Sequence, residues 1–184
     1  LDVSEIRPSS RRYPAIIFER DREAGDQILN VEKLAFELEG ETLFDNIDLN
    51  LNKGDKVVVY SKDSRATSAF YDIINSKLNA KSGKFAWGVT TSQSYLPLDN
   101  SSFFKEPMSL VDWLRQWATT EEEREEVHIR GFLGKMIFSG EEALKQSNVL
   151  SGGEKVRCML SRMMMIRANV LMLDEPTNHL DLES

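Results

Sequence analysis

Residues 150–181 read LSGGEKVRCMLSRMMMIRANVLMLDEPTNHLD, and this stretch decides the fold. It begins as a helix start: Ser151 with Glu154 three residues later is a capping box, in which each side chain accepts from the other residue's backbone N–H. Val156, Met159, Leu160, Met163 and Met164 then recur at helical spacing, so a helix from Gly152 to about Ala168 buries one face, and its methionines are core filling. Val170 to Leu173 is apolar without alternation, as in a strand covered on both sides, and it ends in Asp174 and Glu175. Each half has a plain structural reading, a capped core helix and an acidic strand end. In this order and spacing they also form two halves of an anion-handling device. Gly152 and Gly153 leave unobstructed N–H groups at a helix N-terminus, where the dipole favours a phosphate. Asp174, at the carboxyl end of a central strand, is placed to meet a phosphate-bound magnesium, and Glu175 to orient or deprotonate an attacking water.

Upstream, Leu110, Val111, Leu114 and Trp117 mark an amphipathic helix. The acidic run EEEREE and a helical stretch near Ile129 to Ile137 follow, so residues 102–148 read as a helical insert. Lys84 to Trp87 reads as a short strand after the turn at Ser82 and Gly83. The β-branched run Val57 to Tyr60 reads as a central strand covered on both faces, and the polar stretch Ser61 to Ser68 leads into a helix carrying Phe70, Ile73, Ile74 and Leu78. Ile47, Leu49 and Leu51 alternate with Asp48, Asn50 and Asn52, the pattern of an antiparallel strand with one wet face. Residues 1–26, with Pro8, Pro14 and the charged run ERDRE, read as a linker end. The fold class expected is α/β, with a small antiparallel layer and one domain over residues 27–184.

The 184 residues carry a formal net charge of -7, 41% hydrophobic and 29% charged residues, which suits one folded domain and gives no overall electrostatic footprint for nucleic acid. No apolar run approaches a membrane span, and the N-terminus has no signal-peptide core, so a soluble, cytoplasmic domain is expected. The single cysteine, Cys158, lies in the helical apolar pattern and is expected to be buried and inert. From its ends, the chain is expected to be a piece of a longer protein.

The motif pair resembles that of an ATP-binding cassette domain, with LSGGEK as its signature and LMLDEP as its Walker B motif. The continuation PTNHLD resembles the ABC-F family, whose members carry two cassettes in tandem and act on ribosomes. EIRPSSRRYPAIIFE, residues 5–19, resembles the entry to the second cassette in the YbiT branch of that family. The resemblance covers residues 5–184 and implies a P-loop NTPase-like fold, ATP and Mg2+ as cofactors, the other cassette of the same chain docked head to tail, a ribosome partner and no membrane. It also implies roles for single residues: Gln93 as the glutamine that touches the metal and the attacking water, Phe36 as a substitute for the adenine-stacking aromatic, and Ser68 with Asp174 as metal ligands. His179 falls in the segment facing the opposing cassette, and the histidine that follows Walker B is expected beyond Ser184.

One motif departs from the pattern. The phosphate loop, G-x-x-x-x-G-K-[ST] in this fold, reads SKDSRATS here. Ser61 and Ala66 replace its glycines, Ser64 an internal glycine, and Thr67 its lysine, while Ser68 keeps its identity. Side chains at glycine positions penalise positive φ and crowd the phosphates, and Thr67 removes a point charge. Lys62, Asp63 and Arg65 fill the remaining positions. Lys62 stands near the loop's start and Arg65 ahead of the vacated lysine position, so neither is expected to replace it. Ser151, Gly152 and Gly153 would complete the partner cassette's site, whereas the weak loop belongs to this chain's own. The expectation is the weak half of an asymmetric tandem ATPase, with a non-catalytic interaction module as the alternative and a membrane transporter's nucleotide domain disfavoured by PTNHLD.

Overall fold

A computed structural model describes residues 13–178. His179 and residues 5–12 of the segment that carries the linker resemblance lie outside the described residues. Two sheets organise the chain. β1 (Gln27–Leu38) is the middle strand of an antiparallel sheet in the order β2-β1-β3, with β2 (Glu41–Asn52) and β3 (Ser82–Trp87) at its edges. β4 (Gln93–Leu96) and β5 (Val170–Leu173) form a second, parallel pair. The expected wet face of β2 is observed: Ile47, Leu49 and Leu51 are half-buried, and Asp48, Asn50 and Asn52 exposed.

Helix α1 (Ser64–Ile74) turns Phe70, Ile73 and Ile74 inward and joins the two sheets through one core shared with Leu29, Val31, Leu34, Tyr95 and Met172. A second core lies beneath α2 (Leu110–Arg115), α3 (Glu121–Arg124), α4 (Glu126–Lys135) and α5 (Gly152–Ile166). Its centre is Trp113, stacked on Phe104 at 4.7 Å and donating its Nε1–H to the Phe103 carbonyl at 2.6 Å. The methionines of α5 sit in this core, and burial there pushes the Cys158 thiol pKa upward, which keeps it protonated and unreactive. Residues 13–26 run along α4 and α5, with Ala15 N–H donating to Lys135 O at 2.8 Å and Asp21 N–H to Arg167 O at 3.1 Å.

One element departs from the sequence pattern. Val57 to Tyr60, expected as a central strand, belongs to neither sheet, and Val58 is 90% exposed. A strand requires a neighbour about 4.8 Å away in the hydrogen-bonding direction. Val57 and Val59 instead line a cavity of about 340 Å³ together with Val170, Leu171 and Met172 of β5, whose ladder is with β4. The β-branched run is thus extended but unpaired.

Candidate functional site

At the carboxyl end of β5, Asp174 continues the ladder by donating its N–H to Leu96 O at 3.0 Å, and its residue is 2% exposed. Ser68, on α1, donates its hydroxyl to Asp174 Oδ2 at 2.6 Å. The Tyr95 hydroxyl approaches the same oxygen at 3.5 Å, and its pKa is raised first by burial and then by the charges of Asp72 and Asp174. Among the described residues, Asp174 Oδ1 is buried with no hydrogen-bond partner. A buried carboxylate oxygen without a donor, beside a serine hydroxyl, is a hard oxygen set of the kind that holds Mg2+. Ser68 and Asp174 therefore fit the metal role expected of them.

Glu175 follows with a left-handed backbone, φ 46°, a conformation disfavoured for a residue with a Cβ. It shares a cleft of about 400 Å³ with Ser61, Ser64, Thr67 and Asp174, so the start of the phosphate loop and the carboxylate pair line one space.

The loop itself is a capped helix start. α1 begins at Ser64, and its N-cap Asp63 accepts the Arg65 N–H at 2.9 Å on Oδ1. Ser61 Oγ accepts the Asp63 N–H at 3.1 Å, and Ala66 N–H bonds Asp63 O at 3.1 Å. Three amide donors of this stretch thus already have partners within the chain. Ala66 is buried, 6% exposed, and with Thr67 and Phe70 lines a cavity of about 300 Å³. The Arg65 guanidinium is held by Asp63, at 2.6 Å from Nη2 to Oδ2, and by Glu41 at 3.0 Å, while Lys62 is exposed.

Two expected site residues are placed elsewhere. Gln93 opens β4 and pairs with Val170, whereas Asp174 lies beyond Leu173 at the other end of β5. Four residues of strand separate them, about 13 Å at 3.3 Å per residue. Gln93 instead donates its Nε2–H to Thr91 Oγ1 at 2.8 Å, so it is not the glutamine of the metal site, and Pro97, Leu98, Asp99 and Asn100 follow the carboxyl end of β4. Phe36 is 7% exposed, its ring centroid 6.0 Å from that of Phe44, which in turn lies edge-on to Phe70 at 6.2 Å. It is a core side chain with no face left for a base, and Leu38, two residues on, is the exposed one. Tyr95 and Glu41 were not among the residues singled out in the sequence. The register that brings Tyr95 to Asp174 and the packing that brings Glu41 to Arg65 are non-local and leave no local signal.

At the start of α5 the capping box is complete: Glu154 N–H donates to Ser151 Oγ at 3.3 Å and Ser151 N–H to Glu154 Oε2 at 2.9 Å. Lys145 Nζ holds the other Glu154 oxygen at 2.8 Å. The amides of Gly152 and Gly153 occupy the first helical turn, which has no intrahelical acceptors for them. Ser151 and Gly152 are exposed.

Residues 44–178 match the family described as ABC transporter. The chain belongs to that family. Over its whole length this family member is 50% identical to "Uncharacterized ABC transporter ATP-binding protein YkpA" of Bacillus subtilis (strain 168) and 34% identical to "Probable ATP-binding protein YbiT" of Escherichia coli O157:H7. It spans 34% of the length of each relative. Among solved structures it resembles a dimeric bacterial ABC transporter cassette, with a TM-score of 0.68 and 16% identity over 84% of this chain and 76% of that one. An inward-facing putative metal-chelate type ABC transporter gives 0.65, with 24% identity over 85% of this chain and 64% of that one. These likenesses establish the fold of an ABC ATPase cassette. Among the described residues, no helix is long and apolar enough to cross a membrane.

Proposed function

We propose that this chain is the weaker nucleotide-binding half of an asymmetric tandem ATPase of the ABC-F type, a cytoplasmic protein that works on the ribosome. The carrying observation is the contrast between two helix starts. At α5, Ser151, Gly152 and Gly153 present an exposed anion-binding turn suited to a nucleotide held by the opposing cassette. Both helix starts are capped, but the α5 cap is the neutral Ser151 hydroxyl, whereas the α1 cap is the Asp63 carboxylate, which also holds the Arg65 guanidinium, and this gives the cassette's own nucleotide a poor seat. The continuation PTNHLD and a length of about a third of its relatives support the tandem ABC-F reading.

Calorimetric titration of the chain with Mg-ATP tests the weak site. Millimolar or undetectable binding is expected, and micromolar binding would sink the reading. In the full-length protein, Ser151→Arg is expected to abolish ATP turnover by blocking the other cassette's site. Unchanged turnover would instead make this cassette a non-catalytic interaction module.

A further inference from the structure

We propose that Asp63 and Glu41 are specificity-determining residues of the α1 loop: they occupy the Arg65 guanidinium and the helix start with the protein's own carboxylates and so exclude phosphate. The inference rests on the weak-site reading above and adds its cause. Loss of the loop's glycines and lysine removes affinity, whereas a resident anion competes for what remains.

The geometry is that of an anion seat already filled. Arg65 Nε lies 3.1 and 3.0 Å from the two Asp63 oxygens, and its Nη2 lies 2.6 Å from Oδ2. The planar guanidinium fork pairs with a carboxylate by the same parallel bonds it offers a phosphate. The same Asp63 carboxylate takes the Arg65 backbone N–H, a donor that a helix N-terminus otherwise presents to an anion. Glu41, at the start of β2, approaches Arg65 Nη2 from the neighbouring strand at 3.0 Å. Hydrogen bonding to Arg65 holds the Asp63 carboxyl below its usual range, so it stays charged at neutral pH.

A second, independent observation lies in the adjoining cleft. Asp174 Oδ1 is buried without a donor, in a residue 2% exposed, and Glu175 sits on the same rim. Ser61, Ser64 and Thr67 of the loop line this cleft with the two carboxylates, whereas Arg65 does not, its guanidinium being held by Asp63 and Glu41. Around the helix start, the carboxylates of Asp63 and Glu41 stand against the single guanidinium of Arg65, so its charge is matched within the chain. Because the Asp63 and Glu41 pairs are solvent-exposed, their removal does not threaten the core.

The test is a titration of the wild-type chain, Asp63→Asn/Glu41→Gln, and the same double variant carrying Arg65→Ala, with inorganic triphosphate and with Mg-ATP. Asparagine caps helices as well as aspartate, so α1 is retained, and far-UV circular dichroism checks it. The double variant is expected to bind both ligands roughly tenfold more tightly than wild type, and Arg65→Ala to cancel that gain. A folded double variant that binds no better than wild type, or a gain that survives Arg65→Ala, overturns the proposal. Tight binding by the wild-type chain overturns the weak-site reading instead, and it is read before any substitution is made.

Discussion

Ser68→Ala removes the hydroxyl that donates to Asp174 Oδ2 across 2.6 Å. The carboxylate is buried, its Oδ1 has no partner, and the Tyr95 hydroxyl at 3.5 Å is too distant to replace the lost donor. A hydrogen bond to a charged group contributes about 1.5–3 kcal/mol. The substitution is therefore expected to destabilise the chain by about 2 kcal/mol, which for a domain of this size lowers Tm by roughly 4–8 °C. In an Asp174→Asn background the acceptor is neutral, and the same serine change is expected to cost about 1 kcal/mol. The coupling in the double-mutant cycle is then about 1 kcal/mol. Thermal and urea unfolding of the four proteins, followed by far-UV circular dichroism, gives each value. A Ser68→Ala effect below about 0.5 kcal/mol, the size of an ordinary surface change, would refute the reasoning, as would an equal loss in both backgrounds.

Trp113→Ala removes the indole stacked on Phe104 and is expected to destabilise by about 3–5 kcal/mol in chemical denaturation. Gly83 has φ +84°, and a Cβ there would meet Lys33 O at 2.3 Å, so Gly83→Ala should cost well over about 1 kcal/mol and disturb the β1–β3 register. Gly40 has a similar φ of +86° but open space around it, so Gly40→Ala should cost only about 1 kcal/mol; equal losses at the two sites would refute the steric argument. Burial acts to raise the Glu154 pKa, but its bonds to Lys145 and Ser151 outweigh that effect and leave it lowered from 4.5. A lowered folded pKa means stabilisation that is present above the unfolded value and is lost as pH falls through the folded one. The Tm advantage of wild type over Glu154→Gln should therefore hold at neutral pH and shrink on acidification below about pH 4; a constant gap would count against the capping box.

Local patterns were legible wherever the deciding interaction was also local. The capping box at Ser151 and Glu154, the buried stripe of α5, the strand Val170–Leu173 and the half-wet β2 are set by residues within a few positions of one another. Ser68 and Asp174, named together only through the family resemblance, are hydrogen-bonded, a contact 106 residues apart in sequence that no local pattern signals. Val57 to Tyr60 shows where local reasoning stops. Its composition favours a strand, but a strand exists only with a hydrogen-bonded neighbour, and none is present among the described residues. Gln93 was misplaced because only the β4–β5 register reveals which end of the strand it occupies. Phe36, expected as a substitute for the adenine-stacking aromatic, lies in the core because β1 changes register on both sides of it, so that it is buried while Leu38, two residues on, is exposed.

The unpaired run from Val57 to Tyr60 also makes the phosphate loop readable by hydrogen exchange. Upstream lie the ladders of β1 and β2, and downstream lies α1, both of which protect their amides. Between them the four amides of this tether stand outside any ladder and should exchange early. Anything that fills the space beside β5 and pairs with the tether would register as a slowing confined to those amides, whether or not any chemistry follows.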